Sequence, residues 1–166
     1  MTVAALVLFA ALTPAAAAPT GVADAEAFMR AFYALAKTPP TGPSVTQLEQ
    51  YFTPDLAKAL ATDYKRDPQN GWGSNRRVDL DYRIESQVGD IDHVTISSLA
   101  TAQGARVDVR FQLKLDSTSP PEPGETLYDL KRTPAGWRID EVSAPAQGFE
   151  GKAWSMRRLL RLPAER

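Results

Sequence analysis

The sequence predicts an α+β fold in which helices pack on one face of a curved antiparallel sheet. Two patterns carry that reading: apolar residues recur at helical spacing up to about residue 66, and from residue 78 to about residue 142 they recur at every second position. Length sets the number of cores. The chain has 166 residues and a domain takes about 100 to 200, so one domain is expected.

The first residues stand apart. Residues 1–17 carry no charge, and the apolar run from Val3 to Leu12 has the length of a signal-peptide core, too short to span a membrane. Pro14 breaks the run, and Ala15-Ala16-Ala17 offers an A-x-A cleavage pattern before Ala18. The expectation is a signal peptide at 1–17 and a single α+β domain at 18–166, periplasmic or secreted. The front end departs from the usual pattern, because Met1-Thr2 supplies no basic residue. The alternative is a buried N-terminal helix.

Composition narrows the function classes. With 43% hydrophobic and 23% charged residues the chain is globular rather than disordered. Nineteen basic against twenty acidic residues give a net charge of −1, so no global field draws it to nucleic acid or anionic lipid. There is no cysteine, hence neither a disulfide nor a lipidated N-terminus, and stability must come from the core. One histidine without thiolates offers too few ligands for zinc, so neither a metal nor a cofactor is expected.

The elements follow in order. From Asp24, residues Phe28, Phe32 and Leu35 form a stripe flanked by Ala25 and Ala31, opposite Glu26, Arg30 and Lys37. Thr38-Pro39-Pro40-Thr41-Gly42-Pro43 is a loop. Ser44-Val45-Thr46-Gln47 matches a capping box and opens a short helix running to Phe52. Thr53 then caps a third helix with Pro54 in its first position, and Leu56, Leu60 and Tyr64 share a face until the helix ends before Pro68. Val78, Leu80, Tyr82 and Ile84 alternate with charged residues as a strand with one wet face, and Val94 and Ile96 form a shorter version. Val107, Val109, Phe111, Leu113 and Leu115 mark the clearest strand. After the proline-rich loop around Ser119 to Gly124, the stretches 126–132 and 137–142 flank Thr133-Pro134-Ala135-Gly136 as a hairpin. A last helix over about 152–162 sets Ala153, Met156, Leu159 and Leu160 inward and Trp154, Arg157, Arg158 and Arg161 outward.

Several of these stretches resemble one family. Phe28-Met29-Arg30-Ala31-Phe32-Tyr33, the junction Tyr51-Phe52-Thr53-Pro54-Asp55-Leu56, Asp79-Leu80-Asp81-Tyr82 with Gln87 beyond it, and Gly136-Trp137-Arg138-Ile139-Asp140-Glu141-Val142 look like the exported bacterial family called domain of unknown function 3828. That family is similar to the nuclear transport factor 2-like, cystatin-like roll. The likeness spans about residues 23–160 and implies three N-terminal helices on a sheet of four to five strands, plus a C-terminal helix. It implies an exported life and no particular chemistry.

The candidate site residues have competing readings. His93 follows Gly89-Asp90-Ile91-Asp92, which reads as a turn, and is an exposed turn histidine or a general acid/base. Asp79 and Asp81 share a strand face as paired carboxylates would, yet Arg83 and the set Asp108, Arg110 and Lys114 make that face a charge-mixed surface. Asp63 falls beside Leu56 on the helical wheel, and so is a boundary aspartate paired with an arginine or a proton-transfer base in a roll pocket. One histidine supports no Ser-His-Asp set, and Gly71-Trp72-Gly73 lacks the Lys-Ser/Thr of a phosphate loop. Trp72, Arg76 and Arg77, in a polar loop, are of the types that anchor interfaces. The arginines of the last helix suit anionic lipid, a peripheral contact without any integral span. The leading expectation is a non-catalytic binding or accessory module for a protein or small-molecule ligand. The alternatives are an isomerase- or dehydratase-like enzyme using Asp63 or His93, and an envelope inhibitor or immunity-type protein.

Overall fold

A computed structural model describes residues 22–34, 45–66, 78, 89–145 and 153–163, and these form an α+β fold. Helices α1 (Val22–Ala34), α2 (Val45–Tyr51) and α3 (Pro54–Tyr64) come first. Strands β1 (Asp90–Ala100), β2 (Gly104–Lys114), β3 (Glu122–Thr133) and β4 (Gly136–Ala144) follow, and the two-residue β5 (Trp154–Ser155) leads into α4 (Met156–Leu160). The order β1-β2-β3-β4-β5 is antiparallel throughout, so no strand needs a crossover connection.

Strand β2 shows how alternation builds the layers. Val107, Val109, Phe111 and Leu113 are buried, Tyr128, Leu130, Trp137, Ile139 and Val142 extend their face, and Met29, Phe32, Leu56 and Leu60 cover it from the helices. Each such side chain contributes about 1.5–3 kcal/mol on burial. The charged residues point the other way, where Arg106 meets Asp129 at 2.7 Å and Arg110 meets Glu125 at 3.0 Å across β2 and β3. Between the layers Phe32 lies 5.9 Å from Phe52 and 6.1 Å from Tyr128 by ring centroid, and the Tyr33 and Tyr128 hydroxyls share a hydrogen bond of 2.8 Å. Aromatic rings thus fill the interior where the helices meet the sheet.

Two strands break their alternation by one residue. In β1, Asp92 opposes Gln112 and Thr95 opposes Arg110, leaving two residues against Phe111, with His93 at a left-handed φ of 51°. The bulge corrects two expectations. His93 lies within a strand rather than on a turn, and Val94 is carried outward, away from the face it was expected to share with Ile96. In β4, Asp129 opposes Glu141 and Leu130 opposes Ile139, so Asp140 is the extra residue. Ile139 and Asp140 are consequently both buried.

Other boundaries differ for local reasons. The buried stripe of α1 is Ala25, Met29, Phe32 and Tyr33, which leaves Phe28 half-buried and Ala31 exposed, a rotation of the expected stripe toward β1. Glu122-Pro123-Gly124 joins β3 instead of the preceding loop. There β3 has β2 beside it but no paired β4 residue, the place where a sheet tolerates proline, and Gly124 admits the Phe111 ring into space a Cβ would occupy. Trp154 and Ser155 pair with Ala144 and Ser143 rather than starting a helix, so α4 is shorter than expected. Arg157, placed outward by the sequence, is buried, while Arg158 and Arg161 are exposed. The signal peptide at 1–17 and the strand expected over 78–85, apart from Val78, lie outside the described residues. Among the described residues no helix is long and apolar enough to cross a membrane.

Candidate functional site

A groove of about 470 Å³ opens where α1 and the end of α2 face the β3–β4 hairpin. Its position follows from the rotation of α1. Because Met29 and Phe32 take the core, Phe28 and Ala31 fall on the flank, and the Phe28 ring meets Tyr51 at 5.6 Å between centroids. The opposite wall is Gly136, Trp137 and Arg138. Gly136 adopts a φ of +100°, as the turn after Pro134-Ala135 requires, and a side chain there would meet nothing within 4 Å. The turn glycine therefore leaves that end of the groove open.

Trp137 and Arg138 shape its chemistry. Trp137 is 2% exposed, with the Arg132 guanidinium 4.8 Å from its ring centroid, and its Nε1–H finds no acceptor among the described residues. Buried donors are normally paired, so an unpaired one calls for an explanation. Arg138 Nη1 donates to the carbonyls of Trp137 at 2.6 Å and Ala135 at 3.2 Å, bracing the hairpin. Asp24 and Gln50 complete the polar lining.

A second polar cluster ties the C-terminus to the core. Arg157 donates from Nη1 to Asp140 Oδ1 at 3.2 Å and from Nη2 to Asp55 Oδ2 at 2.7 Å, while Nε reaches the Pro163 carbonyl at 3.2 Å. Asp140 also accepts from the Thr53 hydroxyl at 3.0 Å and pairs with Lys131 at 3.2 Å. Thr53 was expected to cap α3 through its side chain. Its hydroxyl turns to Asp140 instead, and its N–H bonds the Ile139 carbonyl at 2.9 Å. Glu141 receives Ser155 Oγ at 2.6 Å and the Arg157 N–H at 3.1 Å. Burial pushes the Asp55 carboxyl up, but the hydrogen bond and the charge of Arg157 outweigh it and hold the group below its ordinary value.

On the outer sheet face, Arg110 Nη2 lies 2.9 Å from Asp108 Oδ2 and 3.0 Å from Glu125 Oε1. Asp108 Oδ1 is buried without a partner among the described residues. Burial and the neighbouring Glu125 raise the Asp108 pKa despite Arg110. Arg106 and Asp129 form a second such pair, while Asp79, Asp81 and Arg83, which the sequence reading set against Asp108, Arg110 and Lys114, lie outside the described residues.

The predicted site residues are dispersed. Asp63, 3% exposed, ends α3, where Oδ2 accepts the Val78 N–H at 3.0 Å and Oδ1 lies 3.4 Å from Arg66 Nε. His93 is 81% exposed beside Asp92. Trp72, Arg76 and Arg77, like Asp79 and Asp81, lie outside the described residues. Sequence reasoning missed the groove and the Arg157 cluster. Asp140-Glu141, two polar residues in succession inside an alternating strand, is the one signal that marked the second. Among the described residues no group of three or more His, Asp or Glu side chains is arranged to hold a metal ion.

No protein-family model, curated protein or solved structure matches the chain.

Proposed function

We propose that the chain is an exported, non-catalytic binding or accessory module that takes its ligand in the groove between α1, α2 and the β3–β4 hairpin. The observation that carries this reading is the wall itself: Phe28, Tyr51 and Trp137 beside the polar groups of Asp24, Gln50 and Arg138. Small-molecule sites have this composition, a mostly apolar lining with few oriented polar groups, and volumes of about 300–1,000 Å³. Export rests on the charge-free apolar run at 1–17, which directs the mature chain to the periplasm or outside the cell. The likeness to domain of unknown function 3828 and to the nuclear transport factor 2-like roll belongs to the same reading.

Binding is preferred to proton-transfer catalysis because of what Asp63 does. Its two oxygens serve Val78 and Arg66, which fasten the chain to the end of α3. The test is a fragment screen observed by amide NMR. Fragments that perturb residues 27–31 and 136–138, in wild type and in the Asp63→Asn/His93→Asn double variant alike, support the proposal. Fragments that bind only around Asp63, and lose binding in that double variant, sink it.

A further inference from the structure

We infer that the groove selects a small organic carboxylate with an apolar body, seated by Arg138 at its charged end and by Phe28 and Tyr51 along its length. The inference rests on the groove being a binding site and adds the class of ligand.

The argument starts from which polar atoms of the wall are still available. Asp24 has an interaction of its own. Arg138 uses Nη1 for the hairpin carbonyls, while Nε and Nη2 have no hydrogen-bond partner among the described residues. Trp137 Nε1 is enclosed in the core and out of reach of the groove, so Arg138 is the donor the hairpin wall offers, and its charge is permanent. A guanidinium with two adjacent free N–H groups matches a carboxylate's paired oxygens, and such charge-assisted bonds are roughly twice as strong as neutral ones. A ligand cation would meet the Arg138 charge, and an alcohol would leave most of the donors unanswered.

The remaining wall fixes the other end of the ligand. Phe28 and Tyr51 stand 5.6 Å apart, Ala27 and Ala31 lie on the same helix flank, and Gly136 adds no side chain. An aryl or alkyl tail fits that lining. An inorganic anion would leave it uncovered.

The test uses three probes of one shape, phenylbutyrate, phenylbutanol and phenylbutylamine, titrated into the whole mature protein with amide N–H resonances observed. Phenylbutyrate is expected to move the amides of 27–31 and 136–138, and to bind at least tenfold tighter than the alcohol, with the amine weakest. Arg138→Gln should lower the carboxylate's affinity to that of the alcohol, and Arg138→Lys, which keeps the charge and loses the fork, should fall between. Because the three probes are ranked on wild type, the result stands even if a variant folds poorly. Equal binding of all three in the groove overturns the carboxylate assignment and leaves the binding-module reading intact. Failure of every probe to perturb the groove overturns both.

Discussion

Arg157 of α4 and Asp140 of β4 meet at 3.2 Å with each side chain only 7% exposed, 17 residues apart in the chain. A buried ion pair of this kind adds little over a well-packed apolar pair, and neither charge stands alone here, since Asp140 also holds Lys131 and Thr53 and Arg157 also holds Asp55. The relationship makes α4 a part of the core rather than a surface appendage.

Arg157→Ala should nevertheless destabilise the protein by about 1.5–3 kcal/mol, since Asp140 and Asp55 both lose charge-assisted hydrogen bonds to the guanidinium. Arg158→Ala, one residue on and exposed, should change stability by no more than about 0.5 kcal/mol. Urea melts of the two variants decide it, and equal losses would show that Arg157 is not the anchor.

Asp55 gives the same joint a pH dependence. Its folded pKa is lowered, so the stabilisation is present above the unfolded value of about 3.9 and is lost as pH falls through the lower folded value. Wild type should lose stability on acidification below about pH 4 more steeply than Asp55→Asn. Urea midpoints across that range measure the difference in slope.

Asp108 has the opposite sign. Burial and Glu125 favour its protonated form, so its contribution is complete below about pH 3.9 and disappears as pH rises through the raised folded value. Asp108→Asn should be more stable than wild type at neutral pH, with the gap closing in acid. A less stable variant at neutral pH would mean that the bond to Arg110 outweighs desolvation.

Phe111 and Gly124 are coupled across β2 and β3. Phe111→Ala should cost about 3–5 kcal/mol as a buried aromatic is deleted. Gly124→Ala should also destabilise, because its Cβ enters the ring's space, yet it should be nearly neutral when Phe111 is already alanine. Denaturant melts of the double-mutant cycle test this, and additive losses would refute the contact.

The layers were legible because β2 and β3 obey a strict period, and a period reports which face is buried without any knowledge of the partner. Phase errors arose where a bulge or a rotation intervened. Val94 looked like a core residue until His93 took a left-handed conformation, and the α1 stripe was displaced because Phe28 and Met29 are both apolar and only the sheet's position chooses between them. Arg157 was misplaced for another reason. Its burial depends on Asp55, 102 residues away, and on Asp140, and periodicity carries no information about such pairings. The groove was invisible because its walls come from three separated stretches whose residues each look like ordinary core or turn.

The Asp140 bulge also has a meaning in the arithmetic of the strand. Strike that residue from the count, and Ile139, Glu141 and Val142 read inward, outward, inward, an unbroken pleat with every rung of the β3–β4 ladder matched. The sheet alone is complete with one residue fewer. Asp140 is a supernumerary rung, kept out of the ladder, and its carboxylate is where the first half of the chain, through Thr53, and the last helix, through Arg157, are riveted to the same strand.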